Sequence, residues 1–336
     1  MSPSTIFVFL AFLALRVVAT PLANIIGASR VDRIVERATP SLTASVTATR
    51  KSGEYFGPIV IDGITYSVLY DTGSDALWIK NGSTIPGPQA YIVYGSGRVN
   101  VTVTSGKVTV AGSTILNQPY GVATSWDPSY DTYDGILGLD QSLTQFGSKS
   151  SWVAHAMPQY KQQLLGVNIP STGPATFTFG YHDTAHENGP LAFNTATYSP
   201  SHWYQQVTSF NLPANDTSMT CDLDTGTSNI LVPPSIAYAF WNQVSTATAI
   251  DGGERWTFPC ANSATVPNFS VTIGGKTYTV AAADTYYRDT PSQGVCRSRL
   301  QGRKNRNYCI LGQPFFYSNY VAYDFGNKTV GLAGRK

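Results

Sequence analysis

The tripeptide Asp-Thr-Gly occurs twice, at Asp71–Gly73 and Asp224–Gly226. Each copy follows an apolar run and is followed by a hydroxyl residue, Ser74 or Thr227. The surroundings match as well: YSVLYDTGSDALWI from Tyr66 and TCDLDTGTSNILVP from Thr220. Further on, each half carries an apolar-apolar-Gly step, Ile136-Leu137-Gly138 and Ile310-Leu311-Gly312. A unit that recurs in this way predicts two lobes related by a pseudo-dyad.

Between the repeats the chain reads as β structure. Short segments such as RVNVTVTSGKVTV, ATFTFG and FSVTIGG are rich in β-branched and aromatic residues and are punctuated by Gly, Asn or Pro. Two brief helices are predicted, Met157 to Leu165 and Pro234 to Val244, the second with proline in its first turn. The expected fold class is therefore all-β: two lobes with few short helices and a cleft between them.

The paired units carry a specific chemistry. Gly73 and Gly226 leave φ unrestricted and let backbones approach closely. Thr72 and Thr225 can bond across the dyad, and Ser74 and Thr227 can orient the outer carboxyl oxygens. Two carboxyls held about 3 Å apart cannot both ionise, so Asp71 and Asp224 would share one proton. The ionised member can deprotonate a water while the other protonates a carbonyl oxygen, which hydrolyses an amide without a metal or cofactor. His155, His182, His186 and His202 are scattered and read as surface or turn residues. No GxSxG or HExxH pattern suggests a serine or zinc hydrolase.

The ends bear on localisation. Ile6 to Leu15 is an unbroken apolar run, too short to span a bilayer, with Val17-Val18-Ala19 after it. It predicts a signal peptide over residues 1–19 and a propeptide over 20–37, with the mature chain starting near Ala38. An N-terminal lobe over 38–188 and a C-terminal lobe over 189–336 follow. VGLAGRK at the C-terminus lacks a lipid-anchor tail. The precursor's net charge of +2 comes from residues 1–37, where four arginines outnumber Asp32 and Glu36, so the remainder is balanced and offers nothing to nucleic acid. Cys221, Cys260, Cys296 and Cys309 lack metal-site spacing, and in an oxidising compartment disulfides are expected. Asn81, Asn100, Asn215, Asn268 and Asn327 are glycosylation candidates. The expected product is a secreted (or vacuolar) monomer, free of the membrane once its signal is removed.

With these motifs in place the chain resembles the pepsin family of aspartic endopeptidases from about residue 50 to its end. The carriers are EYFGPIVIDGITYSVLYDTGSDALWI, then YGSG at Tyr94–Gly97, YDGILGL at Tyr133–Leu139, TFTFGYHD, HWYQQVTSF, CDLDTGTSN, YCILGQPFF and YDFGNKTVGLA. The resemblance implies hydrolysis of peptides or proteins at acid pH by Asp71 and Asp224. It implies a flap with Tyr94 and Gly95 at its tip, Trp78 bonding to Tyr94, Ile136 lining the cleft, and a Cys260–Cys296 disulfide. Cys221–Cys309 is expected because the two cysteines precede the matched motifs, on strands that neighbour each other in this fold.

The chain also departs from that pattern. Asp71 and Asp224 are closer in sequence than is usual, chain is short between Trp78 and Tyr94, and a strand of the interlobe region looks trimmed between Leu139 and Phe177. Asp75 replaces a small polar residue. Asp222 stands two before Asp224, hence on the cleft face, where Leu69 stands in the first unit; its subsite is expected to be open and solvent-screened. Gln313 replaces a carboxylate expected beside the pair. An upstream lysine is absent, leaving Arg30, Arg33 or Arg37 to cap the pair. The alternative function is a pepsin-like glycoprotein that binds a peptide or partner without cutting it.

Overall fold

The computed structural model describes residues 40–82, 85–196, 202–213, 218–288, 294–304 and 307–336. The predicted signal peptide, propeptide and capping arginines, and Asn215, lie outside them.

The repeat seen in the sequence is a repeat in space. Ile64–Asp71 runs parallel to Gly135–Gly138, with Leu69 opposite Ile136 and Asp71 opposite Gly138. Leu77–Ile79 then pairs antiparallel with the same strand, Leu77 opposite Leu137. In the second copy Met219–Leu223 runs parallel to Cys309–Leu311, with Asp222 opposite Ile310. Ile230–Val232 pairs antiparallel with that strand, Ile230 opposite Leu311. Each Asp-Thr-Gly therefore leaves one strand and re-enters the next on the far side of a shared hydrophobic-Gly strand. Asp222 and Leu69 are equivalent positions.

A shared platform joins the copies. At one end of the large sheet the strand order is Glu187–Thr195, Thr329–Arg335, Asn319–Asp324, Leu164–Asn168, Ala175–Phe179 and Ala44–Lys51. The sheet has no gap where a strand looked trimmed: Leu164–Asn168 is wholly buried and bridges its neighbours through Leu165–Tyr323 and Leu165–Phe179. Beneath the platform one core contains Trp152, Phe177, Phe179, Trp203 and Trp241, all fully buried.

The long strand Gly97–Val110 serves two cores. Val99, Val101 and Val103 face a smaller cluster with Trp78 and Tyr130, whereas Val108 and Val110 face the main one. Alternation accounts for the change: odd and even positions lie on opposite faces of the strand, and its two ends bury different faces. The register shift between Gly106 and Val108 places its extra residue on the partner strand Ser113–Trp126.

The helical expectations need correcting in one place. Met157 to Leu165 is not a helix: the α-helix is Trp152–Ala156, followed by one 3₁₀ turn at Met157–Gln159. Pro158 supplies no N–H to carry a helix onward, and Leu164 onward gains more by filling the slot in the sheet. Pro234–Trp241 is helical, with turns continuing to Val244.

Candidate active site

The two Asp-Thr-Gly turns interlock through their threonines. The Thr72 N–H donates to Thr225 Oγ1 at 3.1 Å, and the Thr225 N–H donates to Thr72 Oγ1 at 3.0 Å. Each hydroxyl then donates to a carbonyl of the opposite strand, Thr72 to Leu223 at 2.9 Å and Thr225 to Tyr70 at 2.7 Å. The N–H and hydroxyl groups of this buried bridge are paired, so their desolvation is offset by hydrogen bonds and one loop is fixed against the other.

The carboxyls are held alike. Gly73 N–H donates to Asp71 Oδ1 at 3.0 Å, and Gly226 N–H to Asp224 Oδ1 at 2.7 Å. The Ser74 and Thr227 hydroxyls donate to the Oδ2 atoms of Asp71 and Asp224. Neither glycine has a positive φ, so the freedom expected of them is not what the fold uses. They give room: a Cβ on Gly226 would stand 2.2 Å from Asp71 Oδ1, and one on Gly73 would stand 2.5 Å from Asp224 Cγ. Both carboxyls are more than nine-tenths buried, in contact across the dyad. Burial first, and the facing Asp224 second, push Asp71 well above the usual carboxylate range.

The cleft over this pair has a volume of about 590 Å³ and is lined from both copies, by Ser74, Tyr94 and Ile136 on one side and by Asp224, Thr227 and Leu231 on the other. A hairpin of Gln89–Tyr94 and Gly97–Val110 covers it, with Tyr94 opposite Gly97 and Gly95-Ser96 at the turn. The fully buried Trp78 donates its indole N–H to the Tyr94 hydroxyl at 2.8 Å. From the opposite copy Arg303 donates to the Gly95 carbonyl at 3.1 Å.

Three residues sit differently from expectation. Asp222 lines the cleft but is only 6% exposed, so its site is not solvent-screened. Gln313 lies behind the second loop, fully buried, where its backbone N–H donates to the Thr227 carbonyl and its side-chain amide to the Thr225 carbonyl at 3.0 Å. A neutral amide can donate there without a buried charge. His202 is not a plain surface residue: it lines the cleft and pairs with the buried Asp140, Nδ1 to Oδ2 2.6 Å. Nothing near it in sequence marks this, because Asp140 and Asp222 arrive from distant segments. His155, His182 and His186 contact Gln118, Glu187 and Asp183, away from the cleft.

Cys221–Cys309 and Cys260–Cys296 are disulfides. The first joins directly paired positions on the two strands behind Asp224. Asn81, Asn268 and Asn327 are exposed and Asn100 is half-buried. Among the described residues no helix is long and apolar enough to cross a membrane, and no cluster of potential ligands could hold a metal.

Comparison with known proteins places this geometry. The family model for eukaryotic aspartyl protease matches residues 80–335, a stretch that begins beyond Asp71 and includes Asp224. Aspergillopepsin-1 of Emericella nidulans is 29% identical over 320 residues, covering 87% of this chain and 81% of that protein. Penicillopepsin-1 of Penicillium janthinellum is 27% identical over 317 residues, covering 86% and 98%. The crystal structure of an aspartic proteinase from Irpex lacteus superposes with a TM-score of 0.76 at 22% identity, over 88% of this chain and 98% of that one, a likeness in fold. The chain belongs to the eukaryotic aspartyl protease family and has its bilobal, pepsin-like fold. It is an aspartic-type endopeptidase, a hydrolase of peptide bonds.

Proposed function

We propose that Asp71 and Asp224 are the catalytic pair, and that the protein cleaves peptides or unfolded proteins at acid pH. The observation that carries this reading is the reciprocal threonine bridge, with the two glycines beside it, which brings both carboxyls into contact at the floor of a two-sided cleft. One carboxyl keeps the shared proton. The ionised one takes a proton from a water lying between them, and that water attacks the scissile carbonyl. The protonated carboxyl donates to the carbonyl oxygen, giving a tetrahedral diol. Collapse of the diol transfers a proton to the leaving nitrogen and resets the pair. Ser74 and Thr227 hold the outer oxygens, so the proton stays on the inner side.

Tyr94, braced by Trp78, is the flap residue that closes over substrate and excludes water. Ile136 and Leu69 form an apolar wall suited to apolar or aromatic side chains. A monomer entering the secretory route as a precursor, with glycans on exposed sequons and lobes divided near residues 188–189, fits the same reading. That division falls within the strand Glu187–Thr195, at its irregular pairing between Asn188 and Ala192.

The test is hydrolysis of a denatured protein at about pH 3 to 5 by the wild type, Asp71→Asn and Asp224→Asn. Each substitution should abolish cleavage and leave the circular dichroism unchanged. Substantial activity in either purified variant would overturn the assignment.

A further inference from the structure

Asp222 is the odd group in the cleft. Its position in the first copy is held by Leu69, an apolar wall residue. Its own side chain is buried, lines the cleft, and has an Oδ1 atom without a hydrogen-bond partner among the described residues. A buried carboxyl oxygen left unpaired costs free energy unless something arrives to pair with it.

The groups facing it are mostly acidic. Asp224 and Asp71 approach from the catalytic loops, and Asp140 from the end of the first hydrophobic-Gly strand. The Tyr323 hydroxyl lies behind. Among the described residues His202 is the cation beside it, Nδ1 at 4.0 Å from Asp222 Oδ2, and that imidazole is already engaged by Asp140 at 2.6 Å. Tyr204 stands opposite Asp222 on the neighbouring strand. Its ring lies between His202 and Tyr308, centroids 5.1 and 5.6 Å away, and all three line the cleft. Carboxyl oxygen at the end and aromatic faces along the side suit a long aliphatic stem that ends in a cation.

We propose that Asp222, supported by Asp140, His202, Tyr204 and Tyr308, forms a subsite that takes a Lys or Arg side chain of the substrate. The proposal rests on the endopeptidase cleft assigned above and adds its substrate class. An ammonium or guanidinium pairs with Oδ1 of the ionised carboxylate, so a protonated Asp222 must release its proton to solvent before the pair can form. Burial favours the neutral acid, and Asp224 and Asp140 push the same way, so the exchange is easier as pH rises. Preference for the basic residue should therefore grow with pH.

The experiment uses matched peptides with one cleavable bond, carrying either Lys or norleucine at each flanking position in turn. With wild-type enzyme near pH 5.5, Lys should lead norleucine at one position by roughly tenfold or more in kcat/KM. The lead should shrink near pH 3.5. Asp222→Asn, close in shape, should bring the ratio near one, and Asp222→Leu should reverse it. Equal rates for both peptides in the wild type, or a ratio unmoved in a variant that still cleaves, overturns the subsite and leaves the endopeptidase reading standing. Failure of the wild type to cleave any of the peptides, or a denatured protein, overturns the reading beneath it.

Discussion

Gly73 and Gly226 are where the site is least tolerant, and the reason is distance rather than backbone conformation. Each is pressed against the carboxyl of the opposite loop, so that a methyl on Gly226 would overlap Asp71 Oδ1 at 2.2 Å. The carboxyl could yield only by leaving its bonds to the Gly73 N–H and the Ser74 hydroxyl. Gly226→Ala is therefore expected to part the two carboxyls and lower kcat by about a hundredfold or more, since displacements near 1 Å carry penalties of that order. The cost in stability should be nearer 1 to 3 kcal/mol, typical of overpacking. Steady-state kinetics beside a denaturant melt checks both, and a variant with near-normal kcat would mean that the loops are not rigidly joined. Thr72 and Thr225 belong to the same device, but their loss would be felt first in folding, because each satisfies a buried N–H of the other loop.

Among the elements, the hairpin of Gln89–Tyr94 and Gly97–Val110 is held from both sides of the cleft. Trp78 fixes Tyr94 from below, Tyr130 pairs with the Ser96 hydroxyl at 2.7 Å, and Arg303 reaches from the other copy to the Gly95 carbonyl. The Arg303 bond is exposed and crosses the space a substrate must enter. Arg303→Ala should loosen the closed hairpin and raise KM severalfold while changing kcat less, since the bond steadies closure without touching the reacting atoms; an equal fall in kcat with KM unmoved would contradict that role. The hairpin was legible through the resemblance carried by YGSG at Tyr94–Gly97, and the doubled loop because three residue types at fixed spacing must be where they are for the chemistry. What sequence hid was set by tertiary pairing. The Met157 to Leu165 segment has an apolar pattern that suits a short helix or a buried strand, and only Phe179 and Tyr323 on either side decide for the strand. Alternation correctly turned Asp222 toward the cleft, yet its burial depends on Asp140, His202 and Tyr204, residues that no local pattern connects.

For the molecule as a whole, the cleft makes stability a function of pH, and every contribution has the same sign. Burial raises Asp140 to about 6 despite the charge of His202, and raises Asp71, Asp75, Asp222 and Glu54 above the ordinary range as well. The bond to Asp140 raises His202 to about 9, against the pull of burial. A group with a raised folded pKa holds protons that the unfolded chain has released, so its contribution is complete below the unfolded value and is lost as pH climbs through the folded one. For Asp140 that window runs from about 4 to 6, and for His202 from about 6.5 to 9. His202 is more than a third exposed, so solvent screening leaves it the smaller share. The melting temperature should therefore be highest near pH 4 and fall by several °C or more by about pH 7, continuing downward toward pH 9. Asp140→Asn should flatten the fall between about pH 4 and 6, because an amide in that place binds no proton in either state. Calorimetric scans across that range decide the matter: a melting temperature that rises from pH 4 to 7 would mean the cleft carboxyls are hydrated and ionised in the folded protein. The direction agrees with the working pH of the proposed chemistry, since burial raises Asp71 as it raises Asp140, and that burial ties the fold to acid conditions.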